Sequence, residues 1–160
     1  MKQRINVVEK GMPAMKAMSG MGIYLAKSPV ERSLLDLIYY RVSQVNGCAY
    51  CLDMHSKDLR EIGESDQRLF VLPAWREAPF YSDRERAALA WAEALTKLDG
   101  GIVPDEVYDA AVRQFSEVEL IDLTLAVITI NGYNRVNLAF PNPKAVGTYR
   151  PGIHAVQQSS

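Results

Sequence analysis

Apolar residues return at three- and four-residue steps over most of the chain, and residues that start or stop helices punctuate the steps. Leu34, Leu35, Ile38 and Val42 form one such stripe, which predicts a helix turning a single face to a core. Ser28-Pro29-Val30-Glu31 precedes it and has the form of a helix start. It offers a capping hydroxyl, a proline at the first helical position and a glutamate placed to reach back to the cap. A helix is therefore expected from there to about Gln44, broken at Asn46-Gly47. A second should begin at Cys48 or just before, with Asn46 or Gly47 near its cap, and continue through Leu59 to about Ile62. Ser82-Asp83-Arg84-Glu85 is another capping box, followed by Ala87, Ala88, Leu89, Trp91, Ala92 and Leu95 up to a stop at Gly100-Gly101. Pro104 opens a shorter helix through Phe115, and Ser116-Glu117-Val118-Glu119 caps a long apolar one reaching Asn131 or beyond. The β-branched run from Val127 to Ile130 could be read as a strand, but a helical pattern surrounds it and it is kept helical. Residues 13–26 also read as a helix, with Met12, Met15, Met18 and Met21 suited to core or subunit packing. The predicted fold class is all-α.

A length of 160 residues fits one domain able to bury a core. No internal repeat or low-complexity tract divides it, so residues 1–150 are expected to form that domain and residues 151–160 a mobile polar tail, which carries His154. The formal net charge is −1, which gives no basic field for nucleic acid. No apolar segment follows Lys2 and Arg4 as a secretory signal requires. The longest apolar run, Leu120 to Ile130, is interrupted by Asp122 and is too short to span a bilayer. The expectation is a cytoplasmic protein with neither nucleic acid nor membrane as a partner.

Two cysteines are present, Cys48 and Cys51, and their spacing is informative. A random pair in a chain of this length falls three apart in only about one case in a hundred, and a structural disulfide would be unusual in a reducing compartment. Cys48, Cys51 and His55 are related by steps of three and four, so on one helix they share a face. Sulfur three residues from sulfur can close a disulfide when the helix start adjusts slightly, and an imidazole four residues beyond Cys51 can accept or return a proton. A helix N-terminus and a neighbouring histidine both favour the reactive thiolate. Buried inert thiols are the bland alternative. Zinc is another, but a structural site wants four ligands, and Asp53 or His154 would have to complete the set. A thioredoxin-type fold would need a βαβ pattern before the motif, and here an amphipathic helix precedes it.

The stretch from Leu34 to His55, with Asn46-Gly47-Cys48-Ala49-Tyr50-Cys51-Leu52-Asp53-Met54-His55 at its end, resembles the core of alkylhydroperoxidase D-like proteins, which stand with carboxymuconolactone decarboxylases in one all-helical superfamily. The likeness extends to the helix after Ser82 and to Asn131 to Phe140. The resemblance implies a peroxidase without haem or metal: a cysteine thiolate attacks the peroxide, becomes a sulfenic acid and is captured by the second cysteine. Carried over by position, Cys51 attacks, Cys48 resolves and His55 transfers protons. The first-turn macrodipole, by contrast, favours Cys48 as the more acidic thiol. Asp36 stands where the family usually carries a glutamate, one methylene longer, and Tyr50 where the peroxidase type carries a histidine. A tyrosine with its ordinary pKa of about 10 is a poor base near neutrality. Without the resemblance, Asp36 reads as a helix-face acid paired with Arg32 or Arg41, and Trp75, Trp91 and Tyr133 as core or interface residues.

The resemblance further implies no bound cofactor, a dihydrolipoyl group or other dithiol as external reductant, a lipoyl-bearing or thioredoxin-like partner protein, and a homo-oligomer, trimer or hexamer. The function expected is a cysteine-dependent peroxidase reducing hydroperoxides through a Cys48/Cys51 dithiol-disulfide cycle. The alternatives are a dithiol-disulfide oxidoreductase acting on a protein or small-molecule disulfide, and a zinc-supported binding module. Decarboxylase or lactone chemistry, the other branch of the superfamily, does not generally use such a cysteine pair.

Overall fold

The computed structural model describes residues 4–151, and among them there are helices and turns but no strand. The elements are α1 (Val7–Lys10), α2 (Met12–Leu25), α3 (Arg32–Asn46), α4 (Ala49–Glu61), α5 (Asp66–Val71), a 3-10 turn (Leu72–Ala74), α6 (Asp83–Lys97), α7 (Asp105–Val112) and α8 (Glu117–Ala139). The all-α expectation holds. Of the tail expected from Pro151, residues 152–160, with His154, lie outside the described residues.

Helix α3 is the axis of the packing, with α4, α6 and α8 set against it. Leu34, Leu35, Ile38 and Val42 are all buried, as their periodicity requires, and Leu37 joins them. Each contributes roughly 1.5–3 kcal/mol of apolar burial. Helices α6 and α8 begin at the capping boxes read from the sequence, with Ser82 accepting from Glu85 N and Ser116 from Glu119 N. Helix α6 stops slightly before the glycine pair, at Leu98 in the left-handed region, φ 48°.

The start of α3 differs from expectation. Ser28 is not its cap, and the helix begins at Arg32 with the backbone of Glu31 capping it. The reason is tertiary. Asp122 on α8 is buried and must be hydrogen-bonded; it accepts from Tyr24 Oη at 2.9 Å and from Ser28 Oγ at 2.6 Å. The hydroxyl proton holds Ser28 against α8, and its Oγ still accepts from Val30 N–H at 3.2 Å, so Ser28 closes a local bend over residues 28–31 rather than the first turn of α3. A buried carboxylate on α6 has a comparable anchoring role. Glu93 accepts from Arg41 Nε, Trp75 Nε1 and Arg76 Nη1, each at 2.8 Å, tying α3 and the 75–76 segment to α6. Trp75 and Trp91 are buried. Of the methionine helix α2, only Leu25 is fully buried. Among the described residues no helix is long and apolar enough to cross a membrane.

Candidate active site at the start of α4

The α3–α4 connection is compressed into two residues. Gly47 adopts φ 69°, ψ 32°, a left-handed conformation that glycine takes without the Cβ penalty. Its N–H donates to Gln44 O at 3.3 Å, and Cys48 N–H donates to Ser43 O at 3.1 Å. Together these make a Schellman turn. Cys48, extended at φ −85°, ψ 97°, is then the N-cap of α4. Gly47 thus closes α3 rather than opening α4, and Cys48, at the position where side-chain oxygens usually accept helix N–H groups, makes no side-chain capping hydrogen bond.

Cys51 follows within the first turn and is disulfide-bonded to Cys48, their Cα atoms 5.4 Å apart. Both residues are buried, 2% and 1% exposed. Cys48 forms part of the wall of a largely apolar cleft of about 480 Å³. Met15, Tyr50, Val136, Asn137 and Val146 line it as well, so α2, α4, α8 and the segment after α8 all contribute. Of the two cysteines it is Cys48 that meets this cleft.

His55 lies one turn beyond Cys51 on α4 and is buried. Its ring packs against that of Tyr39 on α3, centroids 5.3 Å apart, and Nδ1 is 3.7 Å from Asp58 Oδ2, beyond hydrogen-bonding distance. Burial, reinforced by the charge of Arg32, pushes its pKa down to about 3. In this disulfide form the ring is therefore neutral near pH 7. It adds no positive charge beside the sulfur and can act as a proton acceptor. The neighbouring Tyr39 hydroxyl is pushed up to about 12, chiefly by burial.

Asp36 is also buried. Its Oδ2 accepts from Arg32 Nε at 2.8 Å, the pairing expected of a helix-face acid, while burial outweighs that partner and raises its pKa. The buried side-chain atoms left without a hydrogen-bond partner among the described residues are Asp36 Oδ1 and both ring nitrogens of His55. Such atoms are costly in a stable core and call for a reason. Arg32 acts electrostatically on both groups. Tyr50 lines the cleft, and burial raises its pKa, away from any role as a base.

Several contacts at the site join residues that the sequence alone does not bring together. Asn137 Nδ2 lies 3.4 Å from Cys51 Sγ. Asn46 Nδ2 donates to Asn131 Oδ1 at 3.0 Å and to Asn134 Oδ1 at 2.9 Å, and Asn134 Nδ2 donates to Ser43 Oγ at 3.1 Å. These amides clamp the last turn of α3 onto α8. The segment after α8 is pinned across α4: Gly147 N–H donates to Asp53 Oδ2 at 2.9 Å, Lys57 Nζ to Tyr149 O at 3.2 Å, and Tyr149 Oη to Asp58 Oδ1 at 2.6 Å. The contact of Asp58 with His55 could have been found from helical spacing, since the two stand three apart on α4. Nothing local marks Asn137. For zinc, Asp53 is already held by Lys57 at 2.8 Å, and the other ligand considered, His154, lies outside the described residues.

Known proteins carry the same architecture. The uncharacterized protein YdfG of Bacillus subtilis is 41% identical over 145 residues, covering 91% of this chain and 99% of the relative. A crystal structure from Agrobacterium tumefaciens, a protein of unknown function provisionally assigned to antioxidant defence as AhpD, superposes with a TM-score of 0.83 at 38% identity, covering 87% of this chain and 95% of the other. An uncharacterized peroxidase-related protein from Ralstonia eutropha with an alkylhydroperoxidase AhpD core shares the fold, at TM-score 0.72 and 18% identity over 86% of this chain and 75% of its own. The sequence pattern of the carboxymuconolactone decarboxylase family matches residues 11–94, a span that holds Asp36, Cys48, Cys51 and His55 together. By that pattern and these likenesses the chain belongs to the carboxymuconolactone decarboxylase family, on its AhpD-like side.

Proposed function

We propose that the protein is a cysteine-dependent peroxidase. The observation that carries this reading is the meeting of a disulfide, whose Cys48 forms part of the wall of a cleft, with buried proton-handling atoms that have no partner among the described residues. In the reduced protein the Cys51 thiolate attacks a hydroperoxide oxygen. The O–O bond breaks, the alcohol departs with a proton and the sulfur becomes a sulfenic acid. The Cys48 thiol attacks that sulfur, water leaves and the disulfide is restored. Neutral His55 accepts the thiol proton and returns it to the leaving oxygen, and Asp36 assists the proton traffic. An external dithiol, dihydrolipoyl or similar, reduces the disulfide by thiol-disulfide exchange, and Cys48 at the cleft wall is the sulfur it reaches. Ile23 and Tyr24, exposed on α2, supply apolar surface for a homo-oligomer.

The test is consumption of hydrogen peroxide and cumene hydroperoxide with a dihydrolipoyl donor. Turnover should be lost in Cys51→Ser; undiminished turnover in that variant refutes the proposal. A second reading, dithiol-disulfide exchange with another protein or a small molecule, draws on the placement of Cys48 in the cleft. Rapid reaction with disulfides alongside negligible peroxide consumption would select it. The family also includes decarboxylases, whose chemistry has no need of this cysteine pair.

A further inference from the structure

Asn131, Asn134 and Asn137 stand at three-residue steps along α8. The first two have structural work. Asn131 accepts from Asn46 and donates to Thr96 Oγ1 and Val127 O, both at 3.0 Å. Asn134, 0% exposed, accepts from Asn46 and donates to Ser43. Through Ser43 and Asn46 they hold the end of α3, and with it the Gly47-Cys48 turn, in a fixed relation to α8. Asn137 is the next step of the ladder, and its Nδ2 lies 3.4 Å from Cys51 Sγ. The same residue lines the cleft beside Cys48, so it borders the disulfide from the cleft side.

A disulfide sulfur is a weak acceptor, and in the oxidised protein this hydrogen bond contributes little. A thiolate is a full charge, and a hydrogen bond to a charged acceptor is roughly twice as strong as a neutral one. Cys51 is 1% exposed, so bulk water does not solvate its charge, and burial by itself opposes ionisation. Neutral His55 brings no compensating positive charge. The amide on α8 is then the side-chain donor placed to meet the charge as it forms. We propose that Asn137 holds Cys51 in its thiolate form, its Nδ2–H donating to Sγ when the disulfide opens. The inference rests on the dithiol cycle proposed above, yet it concerns ionisation rather than turnover and can be measured without any substrate.

The experiment is an ultraviolet thiolate titration of the reduced full chain in a Cys48→Ser background, where Cys51 alone titrates as a cysteine. It compares Asn137 with Asn137→Leu, which keeps the volume and removes the donor, and with Asn137→Asp, which keeps the shape and brings a carboxylate. In the leucine variant the thiolate fraction below the midpoint should fall about tenfold, the loss of one hydrogen bond to a charged group. The ionised aspartate should lower it further. In the two-cysteine protein, Asn137→Leu should make the disulfide about tenfold harder to reduce at equilibrium with a dithiol. Thermal melts by circular dichroism establish that each variant is folded, and should leucine prevent folding, the aspartate variant decides. An unmoved titration in a folded donorless variant overturns the proposal and leaves a spacer between α4 and α8. A moved titration in a protein without peroxide turnover keeps the role of Asn137 and removes the peroxidase reading instead.

Discussion

Substituting alanine for Gly47 isolates the cost of the turn that delivers Cys48 to α4. A Cβ built at Gly47 meets nothing within 4 Å, so no side chain or backbone has to move and the whole penalty is conformational. Its φ of 69° costs an L residue about 1–2 kcal/mol. Part of this is returned, because alanine loses less chain entropy than glycine on folding, about 0.4–1 kcal/mol. The net is a destabilisation of about 1 kcal/mol, or roughly 2–4 °C in melting temperature for a chain of this size. Gly20→Ala and Gly22→Ala are the internal controls. Both positions lie in α2, and a Cβ at either also meets nothing within 4 Å, so alanine there should stabilise by roughly 0.5–1 kcal/mol. Urea unfolding at constant m-value reads both directions. If Gly47→Ala is as stable as the parent, or shifts in the same direction as the α2 substitutions, the backbone account of the α3–α4 turn is wrong.

Asn134→Leu should cost about 2–3 kcal/mol, because Asn46 and Ser43 each lose a buried hydrogen-bond partner; a denaturant midpoint within error of the parent would show that the amide ladder does not clamp α3. Acid stability should report His55. Its folded pKa is depressed from 6.5 to about 3, so between those values the unfolded chain binds a proton that the folded chain does not. Its contribution is therefore complete above the unfolded pKa and is lost as pH falls toward the folded one. Asp36, raised by burial, acts in the opposite sense, its contribution fading as pH rises through its folded pKa. His55→Gln should flatten the fall in stability across that acid window, and identical pH profiles for parent and variant would refute a neutral buried ring.

What was readable from the chain was what is decided locally. Ser82 and Ser116 were identified as caps because a capping box closes within four residues and asks nothing of the rest of the fold. Ser28 presents the same signal, but it is anchored to Asp122, ninety-four positions away, and its oxygen accepts from Val30 N–H in a bend ahead of the helix. Helix α5 was missed: it spans 6 residues, too few for a periodic stripe, and Arg68 within it is held by Glu64 and Glu85 on either side. The cysteine pair and His55 stood out because their relation is one of spacing on one helix. Asn137 lay inside a stretch already noted for its family likeness, but its contact spans 86 positions and no local pattern announces it. The charge state of His55 is not legible in the sequence for a related reason. Proximity to a sulfur is visible in sequence, whereas burial deep enough to strip a proton depends on what α3 lays over the ring.

The separation between Cys51 and Asn137 also has a meaning during synthesis. At about 5–20 residues per second, the 86 positions between them amount to roughly 4–17 s in which the α4 thiols have been made and the α8 wall has not. An oxidant present in that interval meets sulfur without its later covering. The chain contains two cysteines, three positions apart, so any intramolecular bond formed early joins the same two atoms that are joined in the finished protein. Premature oxidation within the chain therefore produces no scrambled isomer for the cell to repair.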